Sequence, residues 1–384
     1  MNKIKYIIIV LLLLILPINC VTPGNVYAIE NLPNGNIDAS TSAKSSIVMD
    51  VDTGRVFFEK NANQKLAIAS TTKIVTAITA IENVKDIDAV IRVDDKAIGV
   101  YGTSIYLQRG EELSIRELLY GLMLRSGNDA ATAIAISVGG SIEGFCEMMN
   151  QTAKKVGANN SQFMNPHGLD QEGHYTTAYD LAKITAYALN NEIFANIVKT
   201  KNIKIGGVEY DRYLVNKNKL LTTLDGCIGV KTGFTDDAGR CLVSACERNG
   251  MRVVCVVLNC GPMFEDSTKL INAVFDKYQM FEVLNSYNYI GSVDVENGEK
   301  VRVNVYSRKG LKLPLTIEEY ANIKIDYLVE ENLVAPIKSE EKVGEIKVYY
   351  DKHLIFCEEI YTMEDIKSQL IKDKLKEILD NWGM

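Results

Sequence analysis

Residues 66–75 read Leu-Ala-Ile-Ala-Ser-Thr-Thr-Lys-Ile-Val, and the interpretation of the whole chain starts from this stretch. Small residues lead to Ser70, Lys73 follows three positions later, and an apolar run typical of a helix begins there. Positions i and i+3 share one face of a helix, so the Ser70 hydroxyl and the Lys73 amine could touch. A desolvated lysine can be the base that a serine nucleophile needs. The same spacing recurs at Ser339 and Lys342, and the pair alone is more typical of a serine near a helix start with a surface lysine than of a catalytic pair.

Two further motifs follow in order along the chain. The triplet Ser-Gly-Asn at residues 126–128 falls between two predicted helices, and Lys-Thr-Gly at 231–233 lies in a predicted strand. The ordered set S-x-x-K, S-x-N and K-T-G is found in class A β-lactamases and penicillin-binding proteins. Each motif alone is weak, since S-x-N also occurs at residues 286–288. Their order, and their places at a helix start, an exposed turn and an edge strand, predict serine acyl transfer.

The residue types suit attack on an amide or β-lactam carbonyl. Burial and the like charge of Lys231 would lower the pKa of Lys73, so that a neutral amine takes the Ser70 proton. We therefore expect Lys73 to be the less solvated of the two lysines and Lys231 to stay charged. Ser126 can pass a proton to the leaving amine, and Asn128 can hold Lys73 and the substrate amide.

The Lys-Thr-Gly strand supplies the substrate-binding side of the predicted site. Backbone N–H groups of Ser70 and Phe234 are placed to form an oxyanion hole. Gly233 leaves the strand unobstructed for a close backbone approach. Thr232 and Lys231 offer a hydroxyl and a cation to a free substrate carboxylate.

Length and composition bound the class of protein. The chain has 384 residues, 47% of them hydrophobic, which is ample for a large core and two or three domains. A formal net charge of −7 without a basic block argues against nucleic acid as a partner. No C-x-x-C pair occurs, so we predict no metal site, and nothing indicates a cofactor. Four cysteines in apolar, strand-like runs are interpreted as small buried hydrophobes: Cys241, Cys246, Cys255 and Cys260.

The first 28 residues are typical of an export signal. Lys3 and Lys5 precede an apolar run at residues 7–16, and cleavage is predicted after Ala28, with a polar linker at 29–41. An uncleaved membrane anchor is the alternative, although ten apolar residues are short for a span. Seven of the eight cysteines follow residue 28, and an odd count does not close a complete disulfide framework.

The periodic segments predict an α+β first domain over residues 42–282. A hairpin at residues 46–59 precedes the Ser70 helix, which should end near Ile81. Further helices are predicted at residues 114–125, 129–138, 142–156, 177–190 and 263–281, and strands at 230–235, 240–247 and 251–258. Strands, an all-helical insert, then strands and a helix indicate helices packed on an antiparallel sheet.

The sequence pattern changes from long helical segments to short strand-like runs after about residue 287. Short strand runs with turn signals predict a small all-β domain over residues 287–361. Residues 363–384 predict a last, amphipathic helix whose apolar side chains share one face: Ile371, Leu375, Ile378, Leu379 and Trp382. Such a helix can lie in a membrane surface, and docking on its own domain or on a partner is the alternative.

On these motifs the chain resembles the D-alanyl-D-alanine carboxypeptidases, low-molecular-weight penicillin-binding proteins of serine peptidase family S11. The resemblance runs from about Ser42 to the C-terminus and includes residues 68–73, 125–130, 165–169 and 231–239. It implies a β-lactamase/transpeptidase-like first domain, with the all-β domain and terminal helix holding it at the outer membrane face. It also implies removal of the terminal D-alanine from peptidoglycan pentapeptide stems through an acyl-enzyme, and acylation by penicillins.

Departures from the family pattern and rival functions accompany this interpretation. The family often places an arginine ahead of the K-T-G strand, whereas here Lys217 takes that place, without bidentate geometry. A β-lactamase is one alternative, although no E-x-x-N element follows S-G-N, and a non-catalytic cell-wall-binding module is another. His167 and His174 are interpreted as turn-ordering hydrogen-bonders rather than metal ligands, and Asp180 as a charge at a helix N-terminus.

Overall fold

The structure is a computed structural model that describes residues 32–207, 211–369 and 371–382. The predicted export signal lies outside these residues. The α-helices of the described residues are α1 (Lys73–Asn83), α2 (Ile115–Tyr120), α3 (Asn128–Gly139), α4 (Ile142–Lys155), α5 (Ala178–Leu189), α6 (Glu192–Lys199), α7 (Leu220–Thr223), α8 (Met263–Lys277), α9 (Ile317–Ala321) and α10 (Ile371–Asn381).

The β-strands fall into two groups, one on either side of α8. Those before it are β1 (Ser45–Asp50), β2 (Val56–Lys60), β3 (Val90–Arg92), β4 (Glu112–Ser114), β5 (Asn202–Ile205), β6 (Arg212–Val215), β7 (Cys227–Thr235), β8 (Gly239–Arg248) and β9 (Met251–Leu258). Those after it are β10 (Gln279–Leu284), β11 (Asn288–Glu296), β12 (Arg302–Ser307), β13 (Leu311–Leu315), β14 (Ile323–Val329), β15 (Asn332–Val334), β16 (Lys342–Tyr350) and β17 (His353–Thr362).

Five strands form the central sheet, in the order β2-β1-β9-β8-β7 with every neighbouring pair antiparallel. Asn249 and Gly250 turn β8 into β9 with φ of 50° and 78°, the left-handed backbone that an Asn-Gly hairpin uses. Strand β7 lies at one edge, so one of its sides is not paired within the sheet. This is the edge position that the K-T-G motif predicts.

Apolar side chains cover both faces of the central sheet. On one face, Val243 and Val256 belong to a core that includes Ile78 of α1. On the other face, Val253 packs in a core with Leu270 of α8. Burying each such side chain is worth roughly 1.5–3 kcal/mol, so the sheet between its two helical layers is a rigid base for the site.

The predicted fold class is confirmed, with one refinement in the insert between β2 and β7. Besides its helices, the insert contains two short antiparallel ladders, β3 with β4 and β5 with β6. These strands have three or four residues each, too few for a period-2 pattern to be distinguished from loop sequence.

The segment before the Ser-Gly-Asn triplet changes its helical form. Ser114 and Glu117 close the predicted capping box at the start of α2. The helix then widens into a π-helical turn, Gly121–Arg125, and Ser126 ends it in the left-handed conformation with φ of 66°. This reversal starts α3 directly at Asn128, and π-helical turns are frequent at functional sites.

Helix α8 ends at Lys277, four residues before the predicted end. Residues 279–284 instead form β10, which pairs with β13. Phe281 stacks on Tyr320 with ring centroids 4.3 Å apart, so tertiary contacts override the local helical pattern here.

The second domain is all-β, as predicted. Six strands form a sheet in the order β14-β16-β17-β12-β11-β15, over a core that includes Val303, Ile346 and Ile360. The guanidinium of Arg55 joins this domain to the first one by donating to Pro314 O at 2.6 Å and to Glu319 Oε1 at 2.6 Å.

The last helix begins at Ile371, and the prediction of a helix is wrong for residues 363–369. Isolated bridges hold that segment on the all-β domain, joining Ile366 to Ile337 and Ser368 to Gly298. Four apolar side chains in or just after this helix are 48–74% exposed: Leu375, Ile378, Leu379 and Trp382. Among the helices of the described residues, none is long and apolar enough to cross a membrane.

Candidate active site

Ser70 lies on a tight turn immediately before α1. Residues Ala69–Thr72 form one 3-10 turn, and Ala69 has a φ of 48°, a conformation that costs a non-glycine residue roughly 1–2 kcal/mol. The Thr71 hydroxyl donates to Ile68 O at 2.6 Å and the Thr72 hydroxyl to Ala69 O at 2.9 Å. These bonds hold the strained backbone, so the position of the Ser70 hydroxyl is fixed before any ligand arrives.

The Lys73 amine is close to the Ser70 hydroxyl, as the S-x-x-K spacing predicts. Its Nζ lies 3.0 Å from Ser70 Oγ, 2.7 Å from Asn128 Oδ1 and 2.6 Å from His167 O. A neutral amine has two N–H groups and one lone pair. Because the two carbonyl oxygens can only accept, they take the N–H groups and leave the lone pair directed at Ser70 Oγ.

Burial and like charges lower the pKa of both cleft lysines. Lys73 is fully buried, and burial together with the charges of Lys231 and Lys217 holds its pKa well below the ordinary lysine value, against a small opposing effect of Asp129. Burial and the charge of Lys217 lower the pKa of Lys231 to about 7. The two lysines hardly differ in exposure, and burial is the largest cause of both shifts, so Lys73 is distinguished by the additional effect of the Lys231 charge. The expectation that Lys231 stays charged is met only below about pH 7.

Asn128 and Ser126 form one wall of the cleft. Asn128 accepts from Lys73 through Oδ1 and donates from Nδ2 to Tyr101 O at 2.7 Å, so its amide plane is fixed on both sides. Ser126 is buried, and its hydroxyl makes no hydrogen bond to any described residue. Its donor and its acceptor therefore remain available to a ligand.

The K-T-G strand forms the opposite wall. Lys231 Nζ donates to Thr232 O at 2.9 Å, which directs the amine along the strand. A Cβ at Gly233 would lie 3.1 Å from both Ile68 O and Ser70 N, because β7 passes directly over the nucleophile turn. The close backbone approach that Gly233 permits therefore includes the protein's own turn.

The far end of β7 is tied to the turn at residues 165–175. The Thr235 hydroxyl donates to Asp170 Oδ1 at 2.8 Å and accepts from Ala238 N at 3.1 Å. Phe234, between Gly233 and Thr235, exposes its ring to solvent beneath the Arg240 guanidinium, 5.8 Å from the ring centroid. The hydrogen bond from Thr235 to Asp170 thus holds the end of β7 against the turn at residues 165–175.

Lys217 lies close enough to the cleft for its charge to act on both buried lysines. Its side chain is exposed, and its backbone N donates to Leu124 O at 3.2 Å, in the π-helical turn that leads to Ser126. The structure therefore brings Lys217 to the cleft from a segment that the sequence places before the K-T-G strand.

Two residues of the 165–175 turn support the nucleophile in ways that the sequence did not reveal. Gly168 has a φ of 85°, and a Cβ there would lie 1.9 Å from Ala69 O. His174 Nδ1 accepts from Met164 N at 3.1 Å, so Nε2 carries the proton and donates to Thr72 Oγ1 at 2.8 Å. Burial lowers the pKa of His174 to about 4, which keeps the imidazole neutral in this role.

The histidine and aspartate assignments are resolved by their contacts. His167 Nδ1 accepts from Leu169 N at 3.3 Å and orders its own turn, as predicted. Asp180 lies in the first turn of α5, as predicted, and also accepts from Ser161 Oγ at 2.8 Å. Within the described ranges, no group of three or more His, Cys, Asp and Glu side chains could hold a metal ion.

Asp129 is a buried residue whose importance the sequence did not indicate. Its carboxylate accepts from Ser104 Oγ at 2.5 Å and from Leu107 N at 3.0 Å. These bonds fix the loop that presents Tyr101 O to Asn128. The only available signal was its position directly after the Ser-Gly-Asn triplet.

This fold and site define a serine acyl-transfer enzyme of the penicillin-binding class. Residues 33–261 match the model of the D-alanyl-D-alanine carboxypeptidase family, Peptidase S11, and residues 278–368 match the C-terminal domain of penicillin-binding protein 5. The chain belongs to the D-alanyl-D-alanine carboxypeptidase family S11, and the predicted resemblance is confirmed.

Similar proteins cover both domains of the chain. D-alanyl-D-alanine carboxypeptidase DacF of Bacillus subtilis is 31% identical over 350 residues, which are 88% of this chain and 90% of that protein. DacC of Escherichia coli is 31% identical over 346 residues, 85% of each chain. The crystal structure of penicillin binding protein 5 from Haemophilus influenzae matches with a TM-score of 0.70 at 25% identity, covering 86% of this chain and 98% of that one.

Proposed function

We propose that this protein removes the terminal D-alanine from peptidoglycan pentapeptide stems through a Ser70 acyl-enzyme, and that penicillins acylate the same serine. The observation that carries the proposal is the 3.0 Å contact between Lys73 Nζ and Ser70 Oγ, in a cleft that lowers the pKa of the lysine. Family membership supports both the reaction and the inhibitor class.

In the proposed mechanism, Lys73 takes the proton of Ser70 as Oγ attacks the carbonyl carbon between the two D-alanines. Backbone N–H groups of Ser70 and Phe234 donate to the developing oxyanion. Ser126 passes a proton to the nitrogen of the departing D-alanine, while Asn128 orients Lys73 and the substrate amide. A water molecule then hydrolyses the ester and restores Ser70.

The free carboxylate of the substrate is proposed to bind at the K-T-G wall. Lys231 supplies the cation and Thr232 the hydroxyl, with Lys217 at the outer end of the cleft. Gly233 keeps the backbone edge of β7 open beside this carboxylate. A buried cation paired with a carboxylate makes a stronger hydrogen bond than a neutral donor does, which favours C-terminal over internal peptide bonds.

Replacing Ser70 by alanine should abolish covalent labelling by benzylpenicillin and lower D-alanine release by at least roughly 10³-fold, because no other group can form the acyl-enzyme. Intact-protein mass spectrometry and a D-alanine assay on a pentapeptide measure the two effects. The matched control is Ser339→Ala, which removes the exposed serine of the other S-x-x-K spacing and should leave both unchanged. Persistent labelling of Ser70→Ala would overturn the proposal.

The two rival functions make different predictions about the acyl-enzyme. The third partner of Lys73 is a backbone carbonyl, and within the described residues no carboxylate hydrogen-bonds Ser70 or Lys73. A fast deacylation base of the β-lactamase kind is therefore not evident. A penicilloyl adduct that persists for minutes supports the carboxypeptidase, turnover within seconds supports a β-lactamase, and no adduct at all supports a non-catalytic wall-binding module.

We further propose that the protein is exported by its first 28 residues and is peripherally attached to the outer face of the cytoplasmic membrane through α10. Two features support attachment. β-bridges at Ile366 and Ser368 hold the preceding segment on the all-β domain, so α10 starts beyond that contact. Four of its apolar side chains are exposed, Ile378 and Trp382 among them, and tryptophan suits the headgroup boundary.

Replacing Ile378 by glutamate should weaken binding to lipid vesicles by about tenfold, since burying one isoleucine is worth roughly 1.5–3 kcal/mol. Co-sedimentation of the full chain with phosphatidylglycerol–phosphatidylcholine vesicles measures the partition. The control is Ile317→Glu, which changes an isoleucine that is also exposed to solvent, 75% against 51% for Ile378, but lies in α9. Equal losses in the two variants, or no sedimentation of the unaltered chain, would contradict attachment through α10.

A further inference from the structure

Two cysteines face each other across the catalytic strand and its neighbour. Cys227 of β7 is the register partner of Cys246 of β8. Glu247 N donates to Gly226 O at 2.8 Å, which makes the cysteine pair a non-hydrogen-bonded one. In such pairs the Cα atoms lie about 4.5 Å apart and the side chains approach closely. This spacing falls inside the range of about 4.4–6.8 Å that a disulfide requires.

The two thiols already interact and differ in reactivity. The neighbouring Cys246 thiol is the largest influence that lowers the pKa of Cys227. The charge of exposed Lys201 lowers it further, whereas burial opposes both, and the Cys227 thiol donates to Gly229 O at 3.4 Å. Cys227 is half-buried and Cys246 is fully buried. The pair therefore combines an accessible, activated thiol with a shielded one that can resolve a mixed disulfide.

We propose that Cys227 and Cys246 form a reversible cross-strand disulfide when the protein meets a low-molecular-weight disulfide. The Cys227 thiolate attacks one sulfur of that oxidant, breaks its S–S bond and releases one thiolate. The Cys246 sulfur then attacks Cys227 Sγ in the mixed disulfide and releases the second oxidant sulfur, which carries away the Cys246 proton. Two cysteine thiols are oxidised and one small disulfide is reduced to two thiols.

The other cysteines of β8 and β9 do not offer this arrangement. Cys255 of β9 is the register partner of Ser244, so it lies diagonally from Cys246 at about 7–8 Å. Burial raises the pKa of Cys255 to about 12 and that of Cys241 to about 11, so neither thiol is activated. Geometry and reactivity thus select the same pair.

The proposed disulfide would stabilise the folded protein and leave the geometry of the active site unchanged. It lies at the start of β7, whereas Phe234 and the oxyanion donor lie near the end of that strand. Linking Cys227 to Cys246 closes a short hairpin loop and so restricts the unfolded chain. We expect oxidation to raise the melting temperature by roughly 5 °C. Acylation by penicillin should stay within about twofold of the reduced form, since no contact of Ser70 or Lys73 changes.

The test uses the full chain carrying Cys357→Ser, which removes an exposed thiol. Incubation with oxidised glutathione should lower the mass by about 2 Da. Peptide mapping should then recover Cys227 linked to Cys246, and dithiothreitol should reverse both changes. Adding Cys227→Ser should abolish the mass loss and the melting shift, whereas adding Cys241→Ala should leave both.

Three outcomes would overturn the proposal. In the first, all seven cysteines left in the Cys357→Ser protein still react as free thiols after the incubation, with no internal link. The second is a glutathione adduct that persists on Cys227, and the third is a link between Cys246 and Cys255. Differential alkylation of the unaltered chain detects the disulfide between Cys227 and Cys246 directly, so the result does not depend on the folding of any variant. Because penicillin acylation is measured separately, failure of the disulfide and failure of the proposed enzymatic function are distinguishable.

Discussion

Replacing Lys73 by arginine should slow the acylation of Ser70 by about 10³-fold, although the positive charge at this position is kept. A guanidinium does not lose its proton in a protein, whereas the lysine amine can be neutral because burial and two neighbouring cations lower its pKa. The loss therefore isolates the role of Lys73 as a base from its role as a charge. The measurement is the second-order rate constant for labelling by a fluorescent penicillin.

The pH profile of that rate constant sharpens the result. The neutral fraction of Lys73 rises with pH, so acylation of the unaltered protein should rise through the lowered pKa of Lys73. Lys231 must keep its proton to bind a carboxylate, so the rate should fall again above about pH 7, where that proton is lost in the free protein. In the Lys73→Arg protein, the rate constant should no longer rise with pH on the acidic side of the profile, because the guanidinium stays protonated.

The control for this prediction is Lys219→Arg, a change at an exposed lysine close to the end of β6. It should leave the rate constant and both limbs unchanged. A Lys73→Arg protein that is acylated at nearly the normal rate would show that the base is another group.

Replacing Gly168 by alanine should lower the free energy of unfolding by more than about 3 kcal/mol and slow acylation by at least about 10²-fold. The new Cβ would lie 1.9 Å from Ala69 O and 2.5 Å from Ala69 C, which are backbone atoms and cannot rotate away as the end of a flexible side chain can. The turn that holds Ser70 would have to shift, and a displacement of about 1 Å at a nucleophile can cost 10²-fold in rate. Urea denaturation and penicillin labelling measure the two effects.

Gly173 provides a matched control in the same turn. Its φ of 81° is close to the 85° of Gly168, but a Cβ there would meet its nearest neighbour, Met164 Cγ, at 3.6 Å. Gly173→Ala should therefore cost only the backbone term, about 1 kcal/mol, and leave acylation almost unchanged. Equal losses in the two alanine variants would mean that left-handed backbone strain, and not the contact with Ala69, accounts for the effect.

Two of the three disagreements between sequence and structure have a common cause. Helix α8 stops at Lys277 because β10 pairs with β13, for example Phe281 with Leu313, which lies 32 positions further along the chain. Residues 363–369 carry a helical pattern but are bound to the all-β domain through Ile366. The ladders of the insert are too short to show a period. In the first two cases a distant contact outweighs a local preference that is worth only tenths of a kcal/mol per residue, whereas in the third the strands are simply too short to be recognised.

The sequence by itself determined the motif set, the family, the two-domain α+β organisation and the meeting of Ser70 with Lys73. These follow from local rules, since a one-turn spacing, a capping box and an Asn-Gly turn act within a few residues. Only the tertiary structure placed Gly168 and His174 beneath the nucleophile turn and Lys217 beside both buried lysines. The contact between Lys73 Nζ and His167 O joins residues 94 positions apart. The lowered pKa of Lys73 depends on burial and on charges from several segments, and these exist only once the chain has folded.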